Sequence, residues 1–295
     1  MNIKKLKISV LVTVILSWLL VCASQASEIR KNITIAISPC TDVVSIYEKF
    51  LPLVEYLQAK TACHIELVFP GNFAEFEKFL QNKNIDFALQ DPDVYFKFFR
   101  LYNNKSLVIS LTTKGEVVES GVVIVRRDSD IHKIEDLVGK SVIFGPKLSS
   151  ARWVNAKSLF TEKGIDIDKD LIGYTNGGCC EDVAFNVHLK ATDAGVVCEH
   201  FLAEHEKKQQ ELGVEMQQIR VIARTKLVST RVFSARFDVD DTLVSKVNQA
   251  LLDLDNTNPE HAKILSRAEI GGFRAVRHED YTGRCIPVDT AKKGK

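Results

Sequence analysis

The hydrophobic pattern of the chain changes period repeatedly, and each change marks an element. Ile33 to Ser38 is a short run rich in β-branched residues that stops at Pro39, which predicts a buried strand. From Asp42 to Gln58 the period lengthens, with Phe50, Leu53, Val54 and Leu57 on one stripe, as in an amphipathic helix. Ile65 to Phe69 predicts a second strand, closed by Pro70 and Gly71. Phe73 to Leu80 predicts a helix, with Phe73, Phe76 and Phe79 recurring at helical spacing, a pattern that more often marks core than a ligand platform. Ile85 to Leu89 predicts a third strand. This strand–helix–strand rhythm implies a parallel sheet with helical crossovers.

Leu107 to Arg127 is long and strand-like, bent at Gly115 and Gly121, and reads as a crossover into a second cycle. That cycle has strands over Ser141 to Phe144, Leu171 to Tyr174, Asp193 to Val197 and Arg220 to Ala223. Helices over about Ser150 to Lys163, Glu181 to Leu189 and His200 to Gln210 separate them. Val232 to Ala235 leads back to the first cycle, and helices over Thr242 to Asp253 and Pro259 to Leu265 close the chain. The expectation is an α/β protein of two lobes with a hinge: residues 27–113 completed by 227–295, and residues 114–226. Ligands in open α/β sheets bind beyond the carboxyl ends of the strands. That edge comprises Ser38 to Thr41, Gly71 to Phe73, Gln90 to Asp93, Pro146 to Ser150, Gly177 to Glu181 and Cys198 to His200.

The start of the chain decides the compartment. Lys4, Lys5 and Lys7 precede an apolar run from Ile8 to Ala23, and small residues follow at Ser24 and Ala26. This is the pattern of a secretory signal peptide, residues 1–26, cleaved after Ala26, and it implies export to the periplasm. An uncleaved anchor, or lipidation at Cys22, are the alternatives. The net charge of +1 gives no general argument for nucleic acid or acidic membranes as partners. The last residues, Ala291 to Lys295, read as a basic tail.

Chemistry concentrates at helix starts. Ser149 and Ser150 head a helix directly after a strand, where free backbone N–H groups and the positive dipole end make an anion seat; an ordinary serine cap is the plainer alternative. Gly177 and Gly178 repeat the device before Glu181. No nucleophile elbow, zincin motif, P-loop or dinucleotide fingerprint is present, so the sequence offers no catalytic set and calls for no cofactor. The seven histidines are scattered, and His200 and His205 read as surface residues rather than metal ligands.

Residues 128–150 carry Asp136-Leu137-Val138-Gly139-Lys140, then Phe144-Gly145-Pro146 and the serine pair. They resemble the phosphate/phosphite/phosphonate-binding (PhnD-like) periplasmic proteins of ABC transporters. Gly177 to Glu181 resembles that family's Gly-x-His-Glu, and Asp193-Ala194-Gly195 its downstream Asp-Ala-Gly. Gly272-Phe273-Arg274 and Asp280-Tyr281 resemble its C-terminal end. The resemblance implies a type II periplasmic binding protein, a monomer that closes on a small oxyanion and presents it to a membrane permease or to a histidine kinase sensor domain. The hydroxyls that grip phosphonate oxygens in the family fall on Ser149 and Ser150. Two family tyrosines fall on Phe73 and Gln90, the histidine on Cys180, an acidic residue near Glu199, and an ammonium-holding aspartate at about Arg231. An arginine there trades an ammonium receptor for an anion clamp, and a thiol replaces a donor with a soft ligand. Both departures lean toward arsenate, arsenite or phosphate over aminophosphonates, and some relatives of the family are arsenic-oxyanion sensors. The expected ligand set is Ser38, Cys40, Phe73, Gln90, Asp91, Ser149, Ser150, Cys179, Cys180, Glu181, Cys198, Glu199 and Arg231.

Of seven cysteines, six lie beyond the signal. Cys40 follows the first strand and Cys63 precedes the second, on opposite sheet edges. Strands of about 5–6 residues at about 3.3 Å each separate those edges by roughly 17–20 Å, beyond disulfide reach. Cys179, Cys180 and Cys198 share the ligand edge. Either a disulfide joins Cys198 to one of the vicinal pair, or thiolates there, with Cys40, hold a soft ligand. Cys63 with Cys285 is a further candidate bridge. A thiol-redox or thiolate-metal protein built on Cys179 and Cys180 is the alternative function.

Overall fold

The protein is described from a computed structural model, covering residues 31–39, 43–102, 108–202, 218–277 and 280. The signal segment, Cys40 and Cys285 lie outside the described residues. Two mixed sheets form the two halves of an α/β molecule. The first has strand order β13-β4-β12-β3-β1-β2, from Asn32–Ile37 (β1), His64–Val68 (β2), Phe87–Gln90 (β3), Val108–Leu111 (β4), Val232–Ala235 (β12) and Gly272–Ala275 (β13). The second has order β10-β6-β9-β7-β8, from Gly121–Arg126 (β6), Ser141–Phe144 (β7), Gly173–Asn176 (β8), Ala194–Cys198 (β9) and Ile219–Arg224 (β10). Val118–Glu119 (β5) and Val228–Ser229 (β11) pair as a small antiparallel ribbon where the chain crosses between the sheets.

The sheets are mixed where sequence reasoning expected parallel ones. β1 pairs parallel with β2 and β3, and β7 with β8 and β9. β12 runs antiparallel to β3 and β4, and β6 to β9 and β10. The reason is geometric. Parallel strands aim their carboxyl ends at the cleft, so a strand entering from the ribbon starts at the cleft and runs away from it.

Each sheet is buried on both faces. Ile33, Ile35 and Ile37 pack with Phe50, Leu53 and Leu57 of the helix Val43–Thr61 (α1) and with Val247 and Leu251 of Asp241–Leu252 (α7). Ala36 points the other way, into Phe76 and Leu80 of Phe73–Gln81 (α2). In β6, Val123 and Val125 join one cluster while Val122 and Ile124 join another. This is period-two alternation with both faces apolar. Short helices Pro92–Lys97 (α3) and Phe99–Tyr102 (α4) follow β3. Asn155–Glu162 (α5), Cys180–His188 (α6) and Pro259–Arg267 (α8) complete the set used below. Among the described residues no helix is long and apolar enough to cross a membrane.

Candidate functional site

The carboxyl ends of β1, β3, β7, β8 and β9 converge on the cleft between the two sheets. At its floor lies a cavity of about 50 Å³ that takes Lys49, Phe73 and Asp91 from the first half and Ser149, Arg152, Cys180 and Cys198 from the second. Glu119 and Arg231, from the two crossing segments, complete it with Glu181, His200, Phe201 and Glu269. A second cavity of about 60 Å³ shares Lys49, Glu119, His200, Arg231 and Glu269 with it. A larger, more apolar cavity of about 480 Å³ lies beyond Phe73, against Pro146, Leu148 and Gly177.

Local structure places each group. Ser149 caps a widened helical turn, Ser150–Val154, its Oγ accepting the Arg152 N–H at 3.4 Å. Arg152 is only 3% exposed, and its Nη1 donates to the Gly178 carbonyl at 3.3 Å. Its approach depends on Gly145, where a Cβ would lie 2.4 Å from the Arg152 Cβ. Ser38 Oγ accepts the Asp91 N–H at 3.3 Å. Ser150 is buried, and its Oγ accepts the Asp93 N–H at 3.2 Å, joining the two halves across the cleft.

Sulfur chemistry is split between two neighbours. Cys179 caps α6, its Sγ accepting the Asp182 N–H at 3.2 Å, and burial pushes its thiol up to about 12. Cys180, the first residue of α6, turns into the cavity. Its Sγ accepts the Cys198 N–H at 3.3 Å. A hydrogen bond from the Cys198 thiol, aided by the Arg152 and His200 charges, outweighs burial and lowers Cys180, while Cys198 is pushed up. Cys63, Cys179, Cys180 and Cys198 are all free thiols, so the expected disulfide from Cys198 to the vicinal pair is absent. Burial pushes the Glu119 carboxyl up, but its hydrogen bond to His200 and the charges of His200, Arg231 and Arg152 leave it lowered. Glu119 Oε2 and His200 Nδ1 are 2.8 Å apart. Ligand atoms of Glu119, Cys198 and His200 all lie within 4.8 Å of one another, a spacing that suits a metal ion. Asp91 is raised by burial, with Glu119 adding to the rise and Arg231 and Arg152 opposing it.

Of the residues expected from sequence, Phe73, Asp91, Ser149, Cys180, Glu181, Cys198 and Arg231 line the small cavity. Gln90 does not: it is fully buried in its sheet, with Nε2 donating to Ser234 Oγ at 2.7 Å. Glu199 turns outward, accepting from Ser120 Oγ at 2.5 Å and Arg224 Nε at 3.0 Å. Cys179 faces its own helix cap. His200, read as a surface residue, sits in the cavity instead, because the turn after β9 points inward. Lys49, Glu119, Arg152 and Glu269 were not singled out. For Arg152 the signal was there, a glycine after β7 that clears room for a large side chain seven residues later.

Comparison with known proteins places the chain. The sequence model of a family described as the phosphonate ABC transporter's periplasmic substrate-binding protein matches residues 35–281. No curated protein matches the chain by sequence. A binding protein component of an ABC phosphonate transporter from Pseudomonas aeruginosa superposes with a TM-score of 0.76 at 16% identity, covering 86% of this chain and 84% of its own. PhnD1 from Prochlorococcus marinus, in complex with methylphosphonate, gives 0.75 at 15% identity, covering 85% and 94%. A histidine kinase sensor domain similar to periplasmic binding proteins gives 0.53 at 15% identity, covering 82% and 98%. The mixed sheets, the crossing ribbon and the match over most of the chain make this a type II periplasmic binding protein fold, and the chain belongs to the periplasmic substrate-binding protein family of phosphonate ABC transporters.

Proposed function

We propose that the protein closes on a small phosphorus oxyanion of the phosphonate or phosphate class and presents it to a membrane permease. The observation that carries this reading is the small cavity in which Arg152, Arg231 and Lys49 meet the Ser149 cap. At about 50 Å³ it is small and enclosed by polar groups, a scale that suits a tetrahedral anion. Two guanidinium forks and a helix start are the groups that bind phosphate-like oxygens best. The two halves close around the ligand by bending at the crossing ribbon.

The balance of charge bears on which oxyanion is bound. Asp91, Glu119, Glu181 and Glu269 line the same cavity as the three cations. Arg231 acts on both Asp91 and Glu119, so its charge is partly spent within the protein, and the carboxylates offer an ammonium a place to bind. An aminoalkyl phosphonate therefore fits at least as well as a simple oxyanion. Titration calorimetry against methylphosphonate, aminoethylphosphonate, phosphate, phosphite and arsenate tests the reading. One of the phosphorus ligands is expected to bind at one site per chain, and the reading fails if none of them does.

A second reading rests on the thiols. Cys180 and Cys198 in the cavity favour a trivalent arsenic oxyanion, sensed through a membrane histidine kinase. Arsenite binding that survives competition by phosphate and is lost on alkylation of the thiols would support it; arsenite that fails to bind would end it.

A further inference from the structure

We propose that Cys180, Cys198, His200 and Glu119 form a binding site for one thiophilic divalent cation of the zinc class. Three of the four donors, Glu119, Cys198 and His200, have ligand atoms within 4.8 Å of one another. Cys180 supplies the fourth: its Sγ accepts the Cys198 N–H at 3.3 Å, which sets its sulfur beside Cys198. A tetrahedral zinc ion with bonds of about 2.0–2.3 Å holds its ligand atoms about 3.3–3.8 Å apart. Glu119, Cys198 and His200 therefore draw in from spacings of up to 4.8 Å, and the Cys180 sulfur, which lies outside that group, moves in to complete the shell. The Glu119–His200 pair, now at 2.8 Å, needs to open by about half an ångström.

The donor set selects the ion. Two sulfurs and an imidazole suit zinc, cobalt and copper, whereas magnesium and calcium demand oxygen ligands. Cys180 opens α6, Cys198 ends β9, and His200 follows two residues later, so three donors belong to one half. Glu119 belongs to the crossing ribbon. Two thiolates and a carboxylate around a divalent ion carry one net negative charge, and Arg152 and Arg231 line the same cavity to balance it. The pair of thiols that works together is Cys180 with Cys198, not the adjacent Cys179, which is committed to its helix cap. This site does not rest on the oxyanion reading.

Cobalt(II) is the probe that reads it. Reduced protein, stripped with chelator and free of phosphate and phosphonates, is titrated with cobalt(II) and then with zinc(II). The expected result is one cobalt ion per chain, with a sulfur-to-cobalt charge-transfer band and the visible bands of a tetrahedral centre, both abolished by one equivalent of zinc. Cys180→Ser and Cys198→Ser are each expected to weaken binding by at least tenfold, while Cys179→Ser and Cys63→Ser keep the wild-type spectrum. Should either cavity cysteine variant fail to fold by circular dichroism, His200→Gln and Glu119→Gln carry the test, with loss of the tetrahedral bands expected. The proposal is overturned if the spectrum stays that of hydrated cobalt, or if Cys179→Ser loses the bands as Cys198→Ser does. Because no oxyanion is present, failure here leaves the calorimetric test of the oxyanion untouched.

Discussion

Arg152 sits 3% exposed behind Ser149, with its guanidinium donating to the Gly178 carbonyl and acting on Asp91, Glu119 and Cys180. A buried cation of this kind is tolerable only among compensating groups, and an entering oxyanion adds one more. Hydrogen bonds to charged groups contribute about 1.5–3 kcal/mol. Arg152→Met should therefore weaken oxyanion binding at least about tenfold by calorimetry, and Arg152→Lys should recover part of it, because an ammonium restores charge without the planar fork. Asp91 gives a pH signature. Burial raises its folded-state pKa above the unfolded value of about 3.9, so the fold favours the protonated form. The stability this group contributes is fully present below the unfolded value and is lost as pH rises through the raised one. Asp91→Asn lacks that loss. Chemical denaturation of both proteins across this range should show the variant gaining on the wild type as pH rises; a constant difference would refute the assignment.

At the scale of elements, the start of the Ser150–Val154 turn positions Arg152 and joins the two halves. Gly145 and Gly121 clear its surroundings: a Cβ at Gly145 would meet Arg152, and one at Gly121 would lie 2.5 Å from the Ala151 carbonyl oxygen. Gly145→Ala should cost about 1–3 kcal/mol through overpacking and weaken ligand binding as Arg152 is displaced, readable together by denaturation and calorimetry. Ser150→Ala removes the acceptor of the Asp93 N–H, one hydrogen bond that joins the halves. At about 0.5–1.5 kcal/mol, its loss should loosen the ligand several-fold while leaving each half folded. These placements also show what sequence could reveal. Strands such as Ser141–Phe144 and Val232–Ala235 were legible because four consecutive positions met a sheet buried on both sides. The helices Pro92–Lys97 and Phe99–Tyr102 were not, since six and four residues are too few to show a period. The strand-end rule found Asp91, Ser149, Cys180 and Cys198, but Glu119 escaped it, lying in a two-residue ribbon strand. Gln90 and Glu199 sit on the right edge, yet a strand side chain one position along points into the sheet or out to solvent.

If the two halves trade an open arrangement for a closed one, as proposed, the ligand must make contacts in the closed form that the open form lacks. The cavity supplies them, since Lys49, Phe73 and Asp91 come from one half and Ser149, Arg152 and Cys180 from the other, so no single half holds the full set. A ligand that binds only the closed fold at 100 times its dissociation constant adds about 2.7 kcal/mol of stability. For a chain of this size that is a rise of about 5–10 °C in melting temperature. Small-angle scattering should show a smaller radius of gyration with the ligand present, and the two readouts should share one concentration dependence. Arg152→Met should move both midpoints at least about tenfold higher in ligand concentration, whereas Ser150→Ala should move them only several-fold and keep the compaction at saturation. A melting rise without compaction would mean that the ligand occupies one half alone, and the crossing ribbon would then lose its role as the hinge.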